Sequence, residues 1–141
     1  MKNILEFLDS DESLTTFKKT LTKTQLAKTL VNDGPFTVFA PTNAAFEKLS
    51  SEFIDSLLVN QEKQLSILKN HIINKKLTTE DLKKTVSVTT LQNKELKISI
   101  QKWILELTIK IDCARITQSD ILCKNGVVHK INSVLIPQSK A

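Results

Sequence analysis

A chain of 141 residues with 40% hydrophobic and 25% charged residues is long enough to bury about two thirds of the surface that its unfolded form exposes, so a conventional core needs no disulfide or metal staple. No apolar run approaches the roughly 20 residues that cross a bilayer, and the opening "MKNILEFLDSDE" turns acidic where a secretory signal needs an unbroken apolar stretch. The net charge of +5 is moderate, and one Trp, no Tyr and a single arginine, Arg115, argue against a nucleic-acid partner, which wants clustered arginines or aromatic stacking platforms. A chain beginning here is expected to be cytosolic, or a mature form cut from something longer.

The first half reads as helical. Asp9, with Glu12 three residues on, makes a capping-box-like start for a helix that carries Leu14, Phe17 and Leu21 at helical spacing. Leu26, Leu30 and Val31 mark a second short helix, stopped by "NDGP" at 32–35. In "FTVFAPTNAAF", residues 36–46, Phe36, Val38 and Ala40 alternate with Thr37 and Phe39 as in a strand. Pro41 ends it, having no amide hydrogen to give a sheet. Thr42 and Asn43 each carry a side-chain oxygen able to accept from the free amides of the helix that begins "NAAFEKL" and holds Phe46. "SSEFIDSLL" and "NQEKQLSILKNHII" continue the helical run, with Leu65, Leu68 and Ile72 on one face and His71 at the end. "LTTEDLKK" adds a further turn capped by Thr78 or Thr79.

From Val86 the period changes to two. Leu96, Ile98 and Ile100 alternate with polar residues, as do Leu105, Leu107, Ile109 and Ile111 after a turn near Gln101 and Lys102, which is hairpin patterning with one buried face. Asn125 and Gly126 form a tight turn in which glycine accepts positive φ. Val127, His129 and Ile131 then share one side of a late strand, and Val134 and Ile136 precede Pro137. The lone early strand has to join this late sheet, beside the C-terminal strand. That gives a single α+β domain over residues 1–141, without internal repeat or linker.

Enzymatic motifs are missing in a systematic way. With only Gly34 and Gly126 there is no phosphate-cradling loop or dinucleotide fingerprint, and no nucleophile elbow or paired metal histidines occur. A non-enzymatic protein without cofactor or metal is therefore expected. Cys113 and Cys123 are ten residues apart and fit none of the usual zinc spacings, and nothing makes them converge with His71 and His129. Free thiols are expected, a bridge requiring that their strands be neighbours. His129 is expected to be a half-buried imidazole bonded to backbone or to a polar group of the early motif, such as Thr42 or Asn43, rather than a catalytic base.

Between Lys63 and Lys110 stand ten lysines and four acids. Within that stretch Asn70, His71, Lys75, Lys76, Lys83 and Lys84 are the candidate partner-binding residues, facing solvent and suited to an acidic protein or a glycan.

"GPFTVFAPTNAAFEKL" together with "NGVVHKINSVLIP", about ninety residues apart and with "LKNHII" between them, resembles the fasciclin (FAS1) domain family over about residues 3–137. The resemblance implies a twisted β-wedge of about seven strands with a layer of five or six short helices. It implies that Thr37, Phe39, Ala40, Pro41, Thr42, Asn43 and Phe46, with Asn125, Gly126, His129 and Ile131, are mostly scaffold. It also implies cell adhesion, or cell-surface and matrix interaction, through protein or glycan contacts by a secreted or cell-surface protein. The alternative it offers is a carrier of an apolar small molecule such as a carotenoid. Where the family holds a Tyr-His pair linked to adhesion, this chain has Asn70-His71, without the aromatic ring. Asp120-Ile121 matches the family's Asp-Ile pair, also implicated in adhesion; read from the residues alone it is a turn aspartate followed by a core isoleucine.

Overall fold

Asn3, not Asp9, starts the first helix in the computed structural model, which describes residues 2–32, 34–103, 106–112 and 114–135. Asn3 Oδ1 accepts from the Glu6 amide at 2.8 Å and Glu6 Oε1 accepts from the Asn3 amide at 2.9 Å, a capping box that opens α1 (Ile4–Ser10). The expected start at Asp9 is thereby corrected. Asp9 lies inside α1, paired with Lys18 at 2.9 Å. Asp11 accepts instead from the Ser13 amide and opens a 3-10 turn (Glu12–Leu14). The other helices are α2 (Thr15–Thr22), α3 (Leu26–Asn32), α4 (Asn43–Glu47), α5 (Ser51–Val59), α6 (Gln61–Lys69) and α7 (Thr79–Lys83). Among the described residues that is one helix more than expected. The addition is α1, whose buried residues Ile4 and Leu8 form a single i,i+4 pair in an acidic stretch, too short a run for periodicity to detect.

Seven strands, β1 (Phe36–Pro41), β2 (Ile72–Ile73), β3 (Ser87–Thr89), β4 (Glu95–Trp103), β5 (Glu106–Ile111), β6 (Ala114–Cys123) and β7 (Gly126–Ile131), lie in the order β2-β1-β7-β6-β5-β4-β3. All neighbours are antiparallel except β1 and β7, which run parallel from Phe36↔Gly126 to Pro41↔Ile131. The early strand thus joins the late sheet beside its C-terminal strand, as expected. Among the described residues β5 and β6 pair only at Lys110↔Arg115 and Ile111↔Ala114, so the two diverge and the mixed sheet becomes a wedge.

Three boundaries differ from the sequence reading. Ile72 leaves the helical run and pairs with Val38 in β2, because one more strand is needed to satisfy the free edge of β1. Gln101 and Lys102 lie inside β4, paired with Thr108 and Leu107; two adjacent polar residues mimicked a turn, while the cross-strand pairing runs on to Trp103↔Glu106. The tight turn before β7 consists of Lys124 and Asn125, and Gly126 is the first strand residue, paired with Cys123. Leu105, Cys113, Ile136 and Pro137 lie outside the described residues.

The β1–β7 pair divides two cores. Phe36, Val38, Ala40 and Val128 face a cluster with the helical residues Ile4, Leu8, Phe17, Leu21, Leu30, Phe46 and Leu68. Phe39 and Ile131 face a second cluster with Ile73, Leu82, Leu96 and Ile111 inside the wedge. Every residue of β1 is consequently buried, and the polar-apolar alternation read from its sequence marks one core against another rather than core against water.

Gly126 makes this close approach feasible. Its φ is +156°, and a Cβ built there would stand 1.9 Å from the Phe36 carbonyl oxygen, far inside contact distance. Gly126→Ala is expected to lose about 3 kcal/mol or more, since both the backbone conformation and the Phe36 contact resist a side chain. Urea unfolding followed by circular dichroism measures this, and an unchanged midpoint would contradict the packing described.

Candidate functional site

The wedge-side face of the β1–β7 pair holds a hydrogen-bonded network whose outer end is the lysine-rich segment 74–84. Thr37, buried on β1, donates from Oγ1 to the Lys75 carbonyl at 2.6 Å and accepts from the Leu77 amide at 2.7 Å. Two register steps along, on the same face, His129 on β7 stands opposite Phe39, and the two rings stack at 5.7 Å with 27° between their planes. His129 Nε2 meets the Leu77 carbonyl at 2.7 Å, and Nδ1 meets the Asp120 amide at 3.2 Å. A carbonyl only accepts and an amide only donates, so the ring is the neutral Nε2–H tautomer. Both partners are main-chain groups, the first of the two alternatives expected, and neither is Thr42 or Asn43; the half-buried ring is corrected to a fully buried one. The cause is strand alternation: His129 points into the wedge, whereas the early motif hands its cap to the helical side.

Asp120 is a bulge residue rather than a turn residue. Its φ is +56°, within the irregular stretch of β6 between Gln118 and Ile121, a conformation that aspartate tolerates better than most residues. The carboxylate accepts from the Thr79 amide at 2.8 Å and the Thr79 hydroxyl at 2.5 Å, at the start of α7. Burial works to raise this carboxyl, but the two Thr79 bonds, with the fields of His129 and Lys83, outweigh it and hold it below the ordinary aspartate range. Ile121 packs, partly buried, against the helical-side core. Thr37, His129 and Asp120, far apart in sequence, therefore pin one segment at Lys75, Leu77 and Thr79.

Lys75, Lys76, Lys83 and Lys84 on that segment are all exposed. Lys83 approaches Glu80 at 3.5 Å in a loose surface pair. Beside them lies a groove of ≈ 340 Å³ whose lining includes Asn74, Lys75, Leu77, Thr85 and Thr89. Asn70 and His71 do not share this surface, and their expected solvent-facing position is corrected: both are buried. Asn70 follows the last turn of α6 and donates to the Leu135 carbonyl at 2.8 Å while accepting from Thr90 Oγ1 at 3.3 Å. His71 Nδ1 meets the Ile67 carbonyl at 2.7 Å and Nε2 accepts from the Leu135 amide at 2.8 Å, the Nδ1–H tautomer, opposite to that of His129. Two polar side chains read as surface because each was taken singly; their partners are main-chain groups of the C-terminal segment and a distant threonine.

The remaining signature residues are internal clamps. Thr42 Oγ1 accepts from the Ala45 amide at 3.3 Å and caps α4. Asn43 caps a different helix from the one expected: Oδ1 accepts from the Thr16 amide of α2 at 3.0 Å, and its amide donates to Glu12 and Thr15. Ala40 and Phe46 lie in the helical-side core, and Pro41, buried, completes β1 opposite Ile131. Asn125 accepts from the Ile4 amide at 3.0 Å through its side chain and from the Phe36 amide at 2.9 Å through its carbonyl, and donates to the Leu30 carbonyl. Cys123 is a free, buried thiol, raised by that burial; among the described residues no cluster of three or more His, Cys, Asp or Glu could hold a metal.

One interaction went unread in the sequence. Lys130 of β7 points to the helical side, where its ammonium pairs with Asp11 and lies 3.2 Å from Ser13 Oγ. Burial works to raise the Asp11 carboxyl, and the bonds from Lys130 and Ser13 outweigh it. A lone lysine within the apolar run "VVHKI" was the available signal.

Two expectations follow from the histidines. His129→Ala should lose about 1–3 kcal/mol, because the Leu77 carbonyl and Asp120 amide are left without their partner; a variant that melts like the parent would refute the clamp. Burial pushes His71 from 6.5 down to about 4, against the pull of the Ile67 carbonyl, and burial lowers His129 as well. Both are neutral when folded and titrate near 6.5 when unfolded, so stability is complete above that pH and falls as pH drops toward about 4. For His71 the loss is at most about 3 kcal/mol. Urea midpoints measured between pH 7.5 and 4 check the sign, and a flat profile would contradict it.

The comparisons agree with this architecture. The Fasciclin domain family model matches residues 12–137. Transforming growth factor-beta-induced protein ig-h3 of Oryctolagus cuniculus is 31% identical over 137 residues, 97% of this chain and 20% of its own length. Human periostin is 30% identical, over 97% of this chain and 16% of its own length. The chain thus spans about a fifth or less of these two relatives. The Synechocystis protein sll1735 is 32% identical over 136 residues, which cover 96% of this chain and 98% of that protein. Among solved structures, a FAS1 domain pair from the insect cell adhesion molecule Fasciclin I superposes with a TM-score of 0.71 and 25% identity, over 87% of this chain and 45% of that one. With its helical layer, seven-stranded wedge and two signature segments paired side by side, the chain belongs to the fasciclin domain family.

Proposed function

We propose that this domain is a non-enzymatic binding module acting in adhesion, at a cell surface or matrix, through contacts of Lys75, Lys76, Lys83 and Lys84 with an acidic protein or glycan. One observation carries the reading. These four lysines are exposed, while the main chain that bears them is pinned from below by Thr37, His129 and Asp120. A charged segment fixed in this way meets a partner without first losing backbone freedom. The insect cell adhesion molecule Fasciclin I contains domains of the same fold, which supports adhesion as the setting. In this reading Asp120, though exposed, and Ile121 serve the scaffold, the carboxylate engaged by Thr79 and the isoleucine packed on the core. His129 has no place as a catalytic base, since both ring nitrogens are engaged by main-chain groups. The groove beside the lysines sets Asn74, Lys75, Thr85, Ser87 and Thr89 around Ile73, Leu77 and Val88, a mixed lining unlike the predominantly apolar channel that a carotenoid carrier requires.

Charged contacts of this kind steer association and weaken with salt, because the screening length shrinks from about 10 Å at 0.1 M to about 3 Å at 1 M. The variant K75E/K76E/K83E/K84E leaves both cores intact and inverts the local field. It should unfold at the parent temperature, while attachment to cells or to an anionic matrix falls and loses its salt dependence. Unchanged attachment by a folded variant would remove this face from consideration.

A further inference from the structure

A second concave surface lies on the helical layer and shares no lining residue with the segment just described. The α2–α3 corner and the flank of α6 enclose a cleft of ≈ 640 Å³, within the size range of small-ligand sites. Lys23, Lys28 and Lys69 line it, with Gln25, Thr29 and Gln61 among them, and among the described residues no acidic one is part of the lining. None of the three lysines makes an ion pair among the described residues. Glu62 stands beside Gln61 on α6, outside the lining.

The corner is built rather than loose. Thr24 donates from its hydroxyl to the Leu21 carbonyl at 2.8 Å and accepts from the Leu26 amide at 3.3 Å. Its own amide bonds Leu21 at 2.9 Å, and Leu21, Leu26 and Leu30 are buried beneath. Three like charges are therefore held around one depression with no counter-charge in its wall, and an anion entering it relieves their mutual repulsion.

We propose that this cleft binds a segment of an acidic oligosaccharide. The lining selects among polyanions. Among the described residues it contains no aromatic ring, so a nucleic acid finds no stacking platform. It is walled by helices and a turn, so an extended peptide finds no strand edge to join, and Leu26 and Leu65 are its only described apolar residues, too little to anchor peptide side chains. Glutamine amides and a threonine hydroxyl both donate and accept, which matches sugar hydroxyls, while the lysines take the carboxylates or sulfates as point charges. Sulfated and carboxylated chains share this chemistry.

The test measures binding of three probes to the intact chain by NMR titration at 0.1 M salt: a heparin-derived hexasaccharide, a hyaluronan-derived hexasaccharide and a hexaglutamate peptide. At least one saccharide should bind, shifting the amides of residues 22–29 and 61–69, and hexaglutamate should bind more weakly. K23A/K28A/K69A, with an unchanged melting temperature, should weaken saccharide binding about tenfold, the sum of three modest exposed charge contacts. K75E/K76E/K83E/K84E should leave it within about twofold, the long-range share of a screened field. A preference for the heparin fragment assigns the sulfated source, and equal binding assigns the carboxylate. The proposal is overturned if neither saccharide binds, if hexaglutamate binds as tightly, if the triple alanine variant binds like the parent, or if the shifts fall on residues 74–84. Because the two variants change different surfaces, this site and the lysine segment of the preceding proposal fail separately.

Discussion

The parallel pairing of β1 with β7 is the constraint on which the rest of the molecule depends. Six register pairs join residues ninety positions apart, from Phe36↔Gly126 to Pro41↔Ile131. They close the chain into one unit and place a two-residue-wide wall between two cores. Such long-range closure costs chain entropy that only extensive burial offsets, and the burial is there: β1 has no exposed residue, and β7 has only Lys130 short of full burial. The glycine at position 126 and the asparagine before it explain why the pair starts where it does. Gly126 admits the Phe36 carbonyl within the space of a missing Cβ, and Asn125 ties α1, α3 and the head of β1 to the same point.

With both faces of the central pair covered, every polar group on it needs an internal partner. Thr37 and His129 find theirs in the 75–77 loop, and Lys130 finds Asp11 and Ser13 in the helical layer. Among the described residues no buried side-chain nitrogen or oxygen is left without a bond. The two histidines serve this end in the neutral form, each donating to one carbonyl and accepting from one amide. Burial lowers the affinity of both rings for protons, and a protonated ring would also turn its second nitrogen into a donor facing an N–H.

The division of labour that results bears on function. Polar residues of the signature segments are consumed inside the molecule, where they hold loops and helix ends in place. On the 75–84 segment, beside Glu80 and Asp81, and around the helical cleft the charge left to solvent is mainly lysine. The two basic surfaces stand on different supports: one is clamped to β6 and β7 through Asp120 and His129, the other is a helix corner seated on Leu21, Leu26 and Leu30.

Local pattern carried much of the architecture. The strand-to-helix switch at 36–46 and the period change after Val86 are legible, and the turn expected at Asn125 and Gly126 is legible to within one residue, because β-branched alternation, proline, capping side chains and glycine act within a few residues of themselves. What local pattern left open was every partner at long range. Nothing near His129 in sequence points to Leu77, nothing near Asn43 points to Thr16, and Asn70-His71 has the polarity of a surface pair while lying under the sheet. Ile72 fits a helical face as well as a strand until β1 is known to need a neighbour. The physical reason is the same in each case: a side chain's preference for burial or hydrogen bonding is set by its own chemistry, but which group satisfies it is settled only when β1 and β7 meet and bring distant backbone amides and carbonyls within 3 Å or so of it.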